Sequence, residues 1–295
     1  MAMILRRPVR ASRLSLDLGL ELAGADLEIR ELCGLDSLTA HGLSFVRDRR
    51  PPAEGGGAVF AACPEPSGRL TVLVSSNPRL DFIRAQHLLR KSPGIAEDET
   101  PPRIHPTAQI GRYAVVENGV SIGEGTRVGS LAVIRSGTVV GAHCEIKAGA
   151  VIGESGFGFE RDAENHPLNM IHCGGVRIGD HVEIGSMTTV SRGALGDTVL
   201  ADHVKIDDHC HISHNCVVGE GAIITSCVEI SGSVVIGRNA WLSPGCALVQ
   251  KITVGEGAFI GIGAVVTRCV GPRTRVFGNP ARLLPTMPGP IVSKD

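Results

Sequence analysis

Histidine is the residue type in this sequence that is best suited to chemistry. Five of the 11 histidines lie between positions 181 and 214. Imidazole can bind a metal ion, or it can transfer protons near neutral pH. Zinc needs three or four donors that converge on one point, whereas a proton acceptor can act alone. Which chemistry applies depends on where the backbone places His181, His203, His209, His211 and His214.

The backbone in this region follows a period of six residues. An aliphatic residue recurs at every sixth position from Ile104 to Ile152, from Ile178 to Val190 and from Leu200 to Val266. A helix would show a period of 3.6 residues and an isolated strand a period of 2. A period of six predicts a left-handed parallel β-helix, whose coils of three flat faces stack about 4.8 Å apart. The 24 repeats predict about eight coils.

A second column, of small residues, lies four positions after the aliphatic one. One large and one small residue of each repeat therefore point inward, as in other stacked repeats. Four cysteines of the small column are predicted to be packing residues rather than nucleophiles: Cys144, Cys210, Cys216 and Cys246. The same register places all five histidines outward, where they do not converge within one chain. A metal site is therefore not expected.

His214 can act as a proton acceptor beside a backbone donor. It lies two positions after Ile212, and the equivalent position three repeats later, after Ile230, is Gly232. An amide without a side chain over it is thus predicted about one coil rise from the imidazole. The base would take a proton from an attacking amine, and the amide would hold a thioester oxygen as it becomes an oxyanion. This pair predicts acyl transfer to an amine without a covalent enzyme nucleophile.

Two interruptions break the six-residue period. The longer one, residues 153–175, contains Phe157 and Phe159, two of only seven phenylalanines in the chain; the shorter one covers residues 191–198. Loops on a rigid scaffold tend to carry function. Phe157, Phe159 and His172 of the longer interruption are therefore candidate substrate-binding residues.

Residues 1–100 lack the period and predict a small α/β domain. Ala58–Ala62 and Leu70–Val74 are expected to be strands, and Pro78–Lys91 a helix that Asn77 caps. We expect the β-helix over residues 101–270 and a short C-terminal extension over 271–295. The overall fold class is mainly β.

Composition narrows the possible functions. A net charge of −1 gives no electrostatic case for binding nucleic acid or a membrane surface. No apolar run approaches about 18 residues, so a transmembrane segment is not expected, and neither is a signal peptide. Nine cysteines without a CxxC motif indicate a reduced, cytoplasmic protein rather than a disulfide framework.

The sequence resembles the bacterial UDP-3-O-acylglucosamine N-acyltransferases of lipid A synthesis over nearly its whole length. The stretches that carry the resemblance are GFGF at 156–159, IGDHVEIG at 178–185, TTV at 188–190, RGAL at 192–195, IDD at 206–208 and ISHN at 212–215, with LSFV at 43–46 and Asn77-Pro78 in the first domain. The resemblance implies a nucleotide-binding first domain and a homotrimer with active sites between neighbouring β-helices. It also implies that His214 is the general base and that the Gly232 amide serves the oxyanion.

The resemblance further implies that Phe45 lies against the nucleotide base, and that Asn215 and the aromatic loop lie near the substrate. Some positions depart from the family pattern. Asp48 and Pro51 replace residues of the base clamp, His211 replaces a glutamine, and Lys251 replaces a second histidine. Asp48, His211 and Lys251 are retained as candidate substrate-binding residues.

The end of the chain bears on the acyl donor. The C-terminal helix that the family uses with acyl carrier protein is absent, and residues 276–282 resemble the ending of acetyl-CoA-type hexapeptide transferases. The acyl thioester co-substrate is therefore carried by acyl carrier protein or by coenzyme A, and no tightly bound cofactor is expected.

The leading hypothesis is an N-acyltransferase that moves a 3-hydroxyacyl group to the amine of a nucleotide-linked amino sugar, UDP-3-O-acylglucosamine, in a Gram-negative-type bacterium. One alternative is a related enzyme of surface-polysaccharide synthesis that uses acyl-CoA. A second alternative is a zinc enzyme similar to the γ-carbonic anhydrases, with three histidines at a subunit interface. A non-catalytic ice-binding β-helix would need ranked threonines on one face, and here threonine is scattered.

Overall fold

The computed structural model describes residues 3–46, 56–63, 69–280 and 282–283. The chain divides into two compact units. Unit 1 contains Met1–Glu99, Ser155–Gly175 and Arg192–Asp197, and unit 2 contains Thr100–Glu154, Val176–Ser191 and Thr198–Asp295. Both interruptions of the repeat therefore belong to unit 1, together with the N-terminal region.

The N-terminal region of unit 1 is a mixed sheet with two helices. In chain order its elements are β1 (Met3–Arg10), α1 (Ala11–Leu18), β2 (Glu21–Ala23), β3 (Glu28–Leu32), β4 (Gly42–Phe45), β5 (Gly56–Ala61), β6 (Arg69–Val74) and α2 (Pro78–Lys91). The strand order is β1-β3-β4-β5-β6-β2, with the four central strands parallel. The small α/β domain is confirmed; helix α1 was not predicted.

Helix α2 has the predicted bounds because its start is capped. The Asn77 side chain accepts a hydrogen bond from the Leu80 N–H, and Pro78 occupies the first turn, where its missing N–H costs nothing. One face of the helix buries Phe82, Ile83 and Leu89 in the core of unit 1. No helix of the described residues is both long enough and apolar enough to cross a membrane.

Unit 2 is a parallel β-helix, as predicted. The strands after α2 are β7 (Arg103–Ile104), β8 (Gln109–Ile110), β9 (Val115–Val116), β10 (Ser121–Ile122), β11 (Arg127–Val128), β12 (Val133–Ile134), β13 (Thr138–Val140), β14 (Glu145–Ile146), β15 (Val151–Glu154), β16 (Phe159–Arg161), β17 (Pro167–Asn169), β18 (Val176–Ile178), β19 (Glu183–Ile184), β20 (Thr189–Ser191), β21 (Thr198–Leu200), β22 (Lys205–Ile206), β23 (His211–Ile212), β24 (Val217–Val218), β25 (Ile223–Ile224), β26 (Glu229–Ile230), β27 (Val235–Ile236), β28 (Trp241–Leu242), β29 (Ala247–Leu248), β30 (Thr253–Val254), β31 (Phe259–Ile260), β32 (Val265–Val266), β33 (Arg275–Phe277) and β34 (Arg282–Leu283). Of the strands that follow α2, only those of the hairpin β16–β17 belong to unit 1; the others form unit 2.

Three parallel sheets form the faces of the β-helix. The first runs from β7 to β30, the second from β8 through β31 to β33, and the third from β9 to β32, each taking every third repeat strand. Strand β34 adds to the end of the second sheet, antiparallel to β33. Ile104 pairs with Ile122, and Ile122 with Val140, so three repeats complete one coil. Val140 pairs with Ile178, and Ile178 with Leu200, although more than three repeats of sequence separate the members of each pair. The register thus shows that a long segment leaves the coil at the first interruption and a short one at the second.

The inward columns form one continuous core. The predicted aliphatic positions from Ile122 to Val266 are buried along the length of the β-helix. The four cysteines assigned to packing are buried as well, and burial raises the thiol pKa of Cys216 to about 11 and that of Cys246 to about 12. A neutral, inaccessible thiol is a poor nucleophile, which confirms their packing role.

Candidate active site

The register brings His214 and Gly232 together. Ile212 and Ile230 are paired across neighbouring coils, and each is followed two positions later by one of the two residues. The His214 side chain is half-buried and Gly232 is buried. A Cβ atom placed on Gly232 would lie 2.7 Å from both Cε1 and Nε2 of His214. The imidazole therefore occupies the space over position 232 that any side chain would need.

Backbone hydrogen bonds hold this pair in place. The Ser233 N–H donates to the His214 carbonyl at 2.9 Å, and the Gly232 carbonyl accepts from the Lys251 N–H at 3.0 Å. The Ser231 N–H donates to the Leu248 carbonyl at 3.2 Å. None of these bonds uses the Gly232 N–H, which is the group predicted to stabilise the oxyanion.

Asn215 fixes the protonation pattern of the His214 ring. It forms the corner after β23 with a φ of 59°, in the left-handed region, which asparagine adopts more readily than most residues. Its Oδ1 lies 3.1 Å from Nδ1 of His214. Because a carbonyl oxygen can only accept, Nδ1 carries the proton and Nε2 keeps its lone pair. Nε2 is therefore the basic atom, and it is one of the ring atoms nearest to Gly232.

His211 and Lys251 lie on the coils around this pair. His211 is half-buried on β23, between the paired residues Thr189 and Glu229, and its Nδ1 is 2.6 Å from the Thr189 hydroxyl. Lys251 is exposed at a corner with a φ of 64°, and its N–H binds the Gly232 carbonyl. The structure therefore brings together five of the predicted site residues: His211, His214, Asn215, Gly232 and Lys251.

The other histidines of the cluster lie at different corners. The rings of His181 and His203 stack at 5.0 Å with an interplanar angle of 2°, and His143 stacks on His181 at 5.2 Å. His209 is exposed at another corner. Among the described residues, no group of three or more His, Cys, Asp or Glu side chains is arranged to hold a metal ion.

Unit 1 contains the remaining predicted site residues. Phe157 and Phe159 pack edge to face at 4.7 Å, with Phe157 87% exposed. His172 is buried, and its Nδ1 lies 3.1 Å from the Met170 carbonyl. Phe45, at the end of β4, is half-buried against Phe82 with a ring distance of 5.2 Å. Asp48 lies outside the described residues, as does Pro51.

Helix α2 contributes residues that sequence reasoning missed. The buried Gln86 side chain donates to the Ile171 carbonyl at 2.7 Å and accepts from the Ile171 N–H at 3.1 Å. Arg79 forms an ion pair with Glu160 and donates to the Phe159 carbonyl at 3.3 Å. These bonds hold the long interruption against α2. The signal in the sequence was a glutamine on the buried face of α2, which is mostly apolar.

Comparisons with known proteins agree with this fold. The family model described as bacterial transferase hexapeptide (six repeats) matches residues 101–136, 122–154 and 197–232. In fold, the chain is similar to LpxA from Acinetobacter baumannii, with a TM-score of 0.57 and 24% identity over 62% of this chain and 69% of that one. It is also similar to the UDP-N-acetylglucosamine acyltransferase of Francisella novicida, with a TM-score of 0.57 and 27% identity over 63% and 66%.

Two relatives are similar over most of their length. The UDP-3-O-acylglucosamine N-acyltransferase of Helicobacter pylori is 36% identical over 72% of this chain and 71% of its own. The protein of the same name from Delftia acidovorans is 34% identical over 85% of this chain and 80% of its own. The chain therefore belongs to the UDP-3-O-acylglucosamine N-acyltransferase family.

Proposed function

We propose that this protein moves a 3-hydroxyacyl group from a thioester donor to the amine of UDP-3-O-acylglucosamine. The observation that carries the proposal is the placement of the His214 imidazole directly over Gly232. A general base and a backbone donor one coil apart are the two groups that attack by an amine on a thioester requires. The names of the relatives support the sugar nucleotide as acceptor.

The reaction follows from the assigned atoms. The amine nitrogen attacks the thioester carbon while Nε2 of His214 takes a proton from that nitrogen. The thioester oxygen becomes an oxyanion that the Gly232 N–H stabilises. When the C–S bond breaks, the thiolate sulfur takes the proton from Nε2, and the C–N bond remains as the amide. His214 returns to its starting state, and the enzyme forms no covalent intermediate.

Asn215 prepares His214 for this cycle. By accepting from Nδ1–H, it keeps the lone pair on Nε2 before the attack, and it stabilises the imidazolium after proton uptake. Its role resembles that of the carboxylate in a catalytic triad, although a neutral amide does it here.

Substrate contacts are assigned to the other candidate residues. The proposal assigns Phe45 and Asp48 to recognition of the nucleotide base, and Phe157, Phe159 and His172 to recognition of the sugar. His211 and Lys251 lie on the coils beside the catalytic pair, so they are assigned to the acceptor as well. Lysine is a suitable phosphate ligand because it carries a compact positive charge with three donors.

The assembly is part of the same proposal. Active sites between neighbouring β-helices of a cytoplasmic homotrimer would enclose the outward face that bears His214. Sedimentation of the purified protein tests this directly, because a monomer at working concentration would contradict it.

The thioester carrier is acyl carrier protein or coenzyme A, and supplying each donor separately identifies it.

The proposed activity is tested with purified protein, UDP-3-O-acylglucosamine and each acyl donor, with the diacylated sugar nucleotide measured by mass spectrometry. Replacing His214 by alanine should lower kcat by about 10² to 10⁴, while the thermal transition stays near that of the wild type. His105→Ala is the control, because His105 is also half-buried and is held by Thr107 in a distant coil. Product formation at the wild-type rate by His214→Ala would refute the assignment of the base.

A further inference from the structure

Two buried threonines of the small column share a hydrogen-bonding pattern. Thr126 and Thr188 occupy the small column, two residues before an aliphatic position, and both are fully buried. Their hydroxyls accept from the N–H of the residue in the same column one coil later, Cys144 in one case and Cys210 in the other, both at 3.0 Å. This bond ties each corner to the next.

Thr198 departs from that pattern at the catalytic corner. It also lies two residues before an aliphatic position, Leu200, and it is fully buried. Its hydroxyl accepts at 2.8 Å from the N–H of Asn215, one residue before its column partner Cys216. The bond is thus displaced by one residue, onto the left-handed residue that accepts from His214 Nδ1–H.

This displacement links three residues in series. The Thr198 hydroxyl holds the backbone of Asn215, and the Asn215 side chain holds the proton on Nδ1 of His214. Other corners, such as those at His143 and His209, share the left-handed backbone, so the feature that distinguishes this corner is the hydroxyl bond to the Asn215 N–H. Because Thr198 is buried, water does not compete for its hydroxyl, so the bond fixes the corner firmly.

We propose that Thr198 is a positioning residue, which sets the tautomer of His214 through Asn215. Without the hydroxyl, the Asn215 N–H loses its acceptor, and the backbone of this corner is free to turn. The Asn215 side chain then no longer meets Nδ1, and the proton is free to move to Nε2. An imidazole with its proton on Nε2 cannot accept one there. The kinetic test of this inference rests on the proposed function, whereas the tautomer of His214 can be measured without it.

The test compares two substitutions at Thr198 with one at an equivalent threonine. Thr198→Val removes the hydroxyl at nearly the same size and should lower kcat about 10- to 100-fold, the scale of a misplaced catalytic group, with KM for the sugar nucleotide unchanged. Thr198→Ser restores the acceptor and should recover most of the rate. Thr126→Val removes the same kind of bond at a corner without a predicted site residue, so it should affect the melting temperature and leave kcat near the wild-type value.

A second measurement reads the tautomer directly. In protein labelled with nitrogen-15 at histidine, the ring nitrogens of His214 should show the proton on Nδ1 in the wild type and in Thr198→Ser, but on Nε2 to a large extent in Thr198→Val. Comparison with His214→Ala identifies the signals. If Thr198→Val does not fold, Thr198→Cys, with a weak acceptor of similar size, takes its place with the same expected results.

The outcomes separate the inference from the function on which it rests. Thr198→Val with a wild-type kcat and an unchanged tautomer would overturn the inference, as would an equal loss of kcat in Thr126→Val. A wild-type protein that transfers no acyl group would overturn the proposed function instead. In that case the ring signals would still decide whether Thr198 sets the tautomer.

Discussion

Replacing Gly232 by alanine is expected to lower kcat about 100-fold while leaving the fold intact. The added methyl carbon would lie 2.7 Å from two atoms of the His214 ring and 3.3 Å from a third. Carbon atoms in contact prefer a separation of about 3.5–4.0 Å, so the ring must move by roughly 1 Å. A misplacement of about 1 Å in a catalytic group costs about 10²-fold in rate, which corresponds to about 2.7 kcal/mol of activation free energy.

The fold should tolerate this change because the atom that must move is the end of a side chain. No backbone atom is among the three that the new methyl group would meet, and the hydrogen bond from the Lys251 N–H to the carbonyl of residue 232 needs no side chain. Gly271→Ala is the matched control. A methyl group there would meet its nearest neighbour, Thr274, at 3.6 Å, an ordinary contact. Its kcat and melting temperature should both stay near the wild-type values.

A double-mutant cycle shows how the methyl group acts. If it acts only by displacing the imidazole, it should have almost no effect on kcat when His214 is already alanine, because there is no ring left to displace. The assay is steady-state kcat for all four proteins of the cycle. A Gly232→Ala variant with the wild-type rate would refute the reasoning. So would a double variant in which the two losses multiply, since the methyl group would then act on the oxyanion position instead.

Two further predictions concern the parts that support the site. Gln86→Leu should destabilise unit 1 by about 1–3 kcal/mol, which is the cost of leaving buried hydrogen-bonding groups without a partner. It should also speed amide hydrogen exchange over residues 158–172. Unchanged exchange there would show that α2 does not hold this segment. At pH 8, iodoacetamide should modify the exposed thiols and leave the buried ones intact, because a pKa of about 12 for Cys246 leaves only about one thiol in 10⁴ as thiolate. Peptide mass spectrometry of the native protein should therefore find label on Cys63, Cys227 and Cys269. Rapid labelling of Cys216 or Cys246 would contradict the inward packing of the small column.

The sequence contains most of the information about unit 2 because a β-helix is built from local repetition. Each repeat pairs with the repeat three further along the chain, so the register follows from counting aliphatic positions. The pairing of Ile212 with Ile230 is the result of such counting, and it is sufficient to place Gly232 beside His214. Helix α2 could be predicted for a similar reason, since a capping asparagine and a proline mark its start.

The sequence contains much less information about the two interruptions. Both leave the β-helix and join unit 1, although no repeat or local signal connects them with it. The decisive contacts are long-range, as in the pairing of Gln86 with Ile171, 85 positions apart. The stacking of His143 on His181 was missed for a related reason, because the long interruption separates two corners that are neighbours in space.

Asn215 shows the limit within the β-helix itself. Counting the repeats places it at a corner, but it does not show which of its atoms contacts the neighbouring ring. That contact depends on its left-handed backbone and on the displaced bond from Thr198. A period of six fixes which slot a residue occupies, whereas hydrogen bonds between corners decide how its side chain is turned.

In the proposed reaction, the residues that carry out the proton transfer lie on the repeats of the β-helix. His214 and Gly232 hold fixed slots of neighbouring coils, and the Ser233 bond to the His214 carbonyl joins those coils directly. Their geometry is therefore set by the same ladder that forms the core, and a change in a loop leaves it intact. The positions that depart from the family pattern, such as Lys251 and His211, project from this ladder without being part of the base–amide pair. Substitution there should alter which acceptor binds, through KM, while the proton transfer at His214 is preserved.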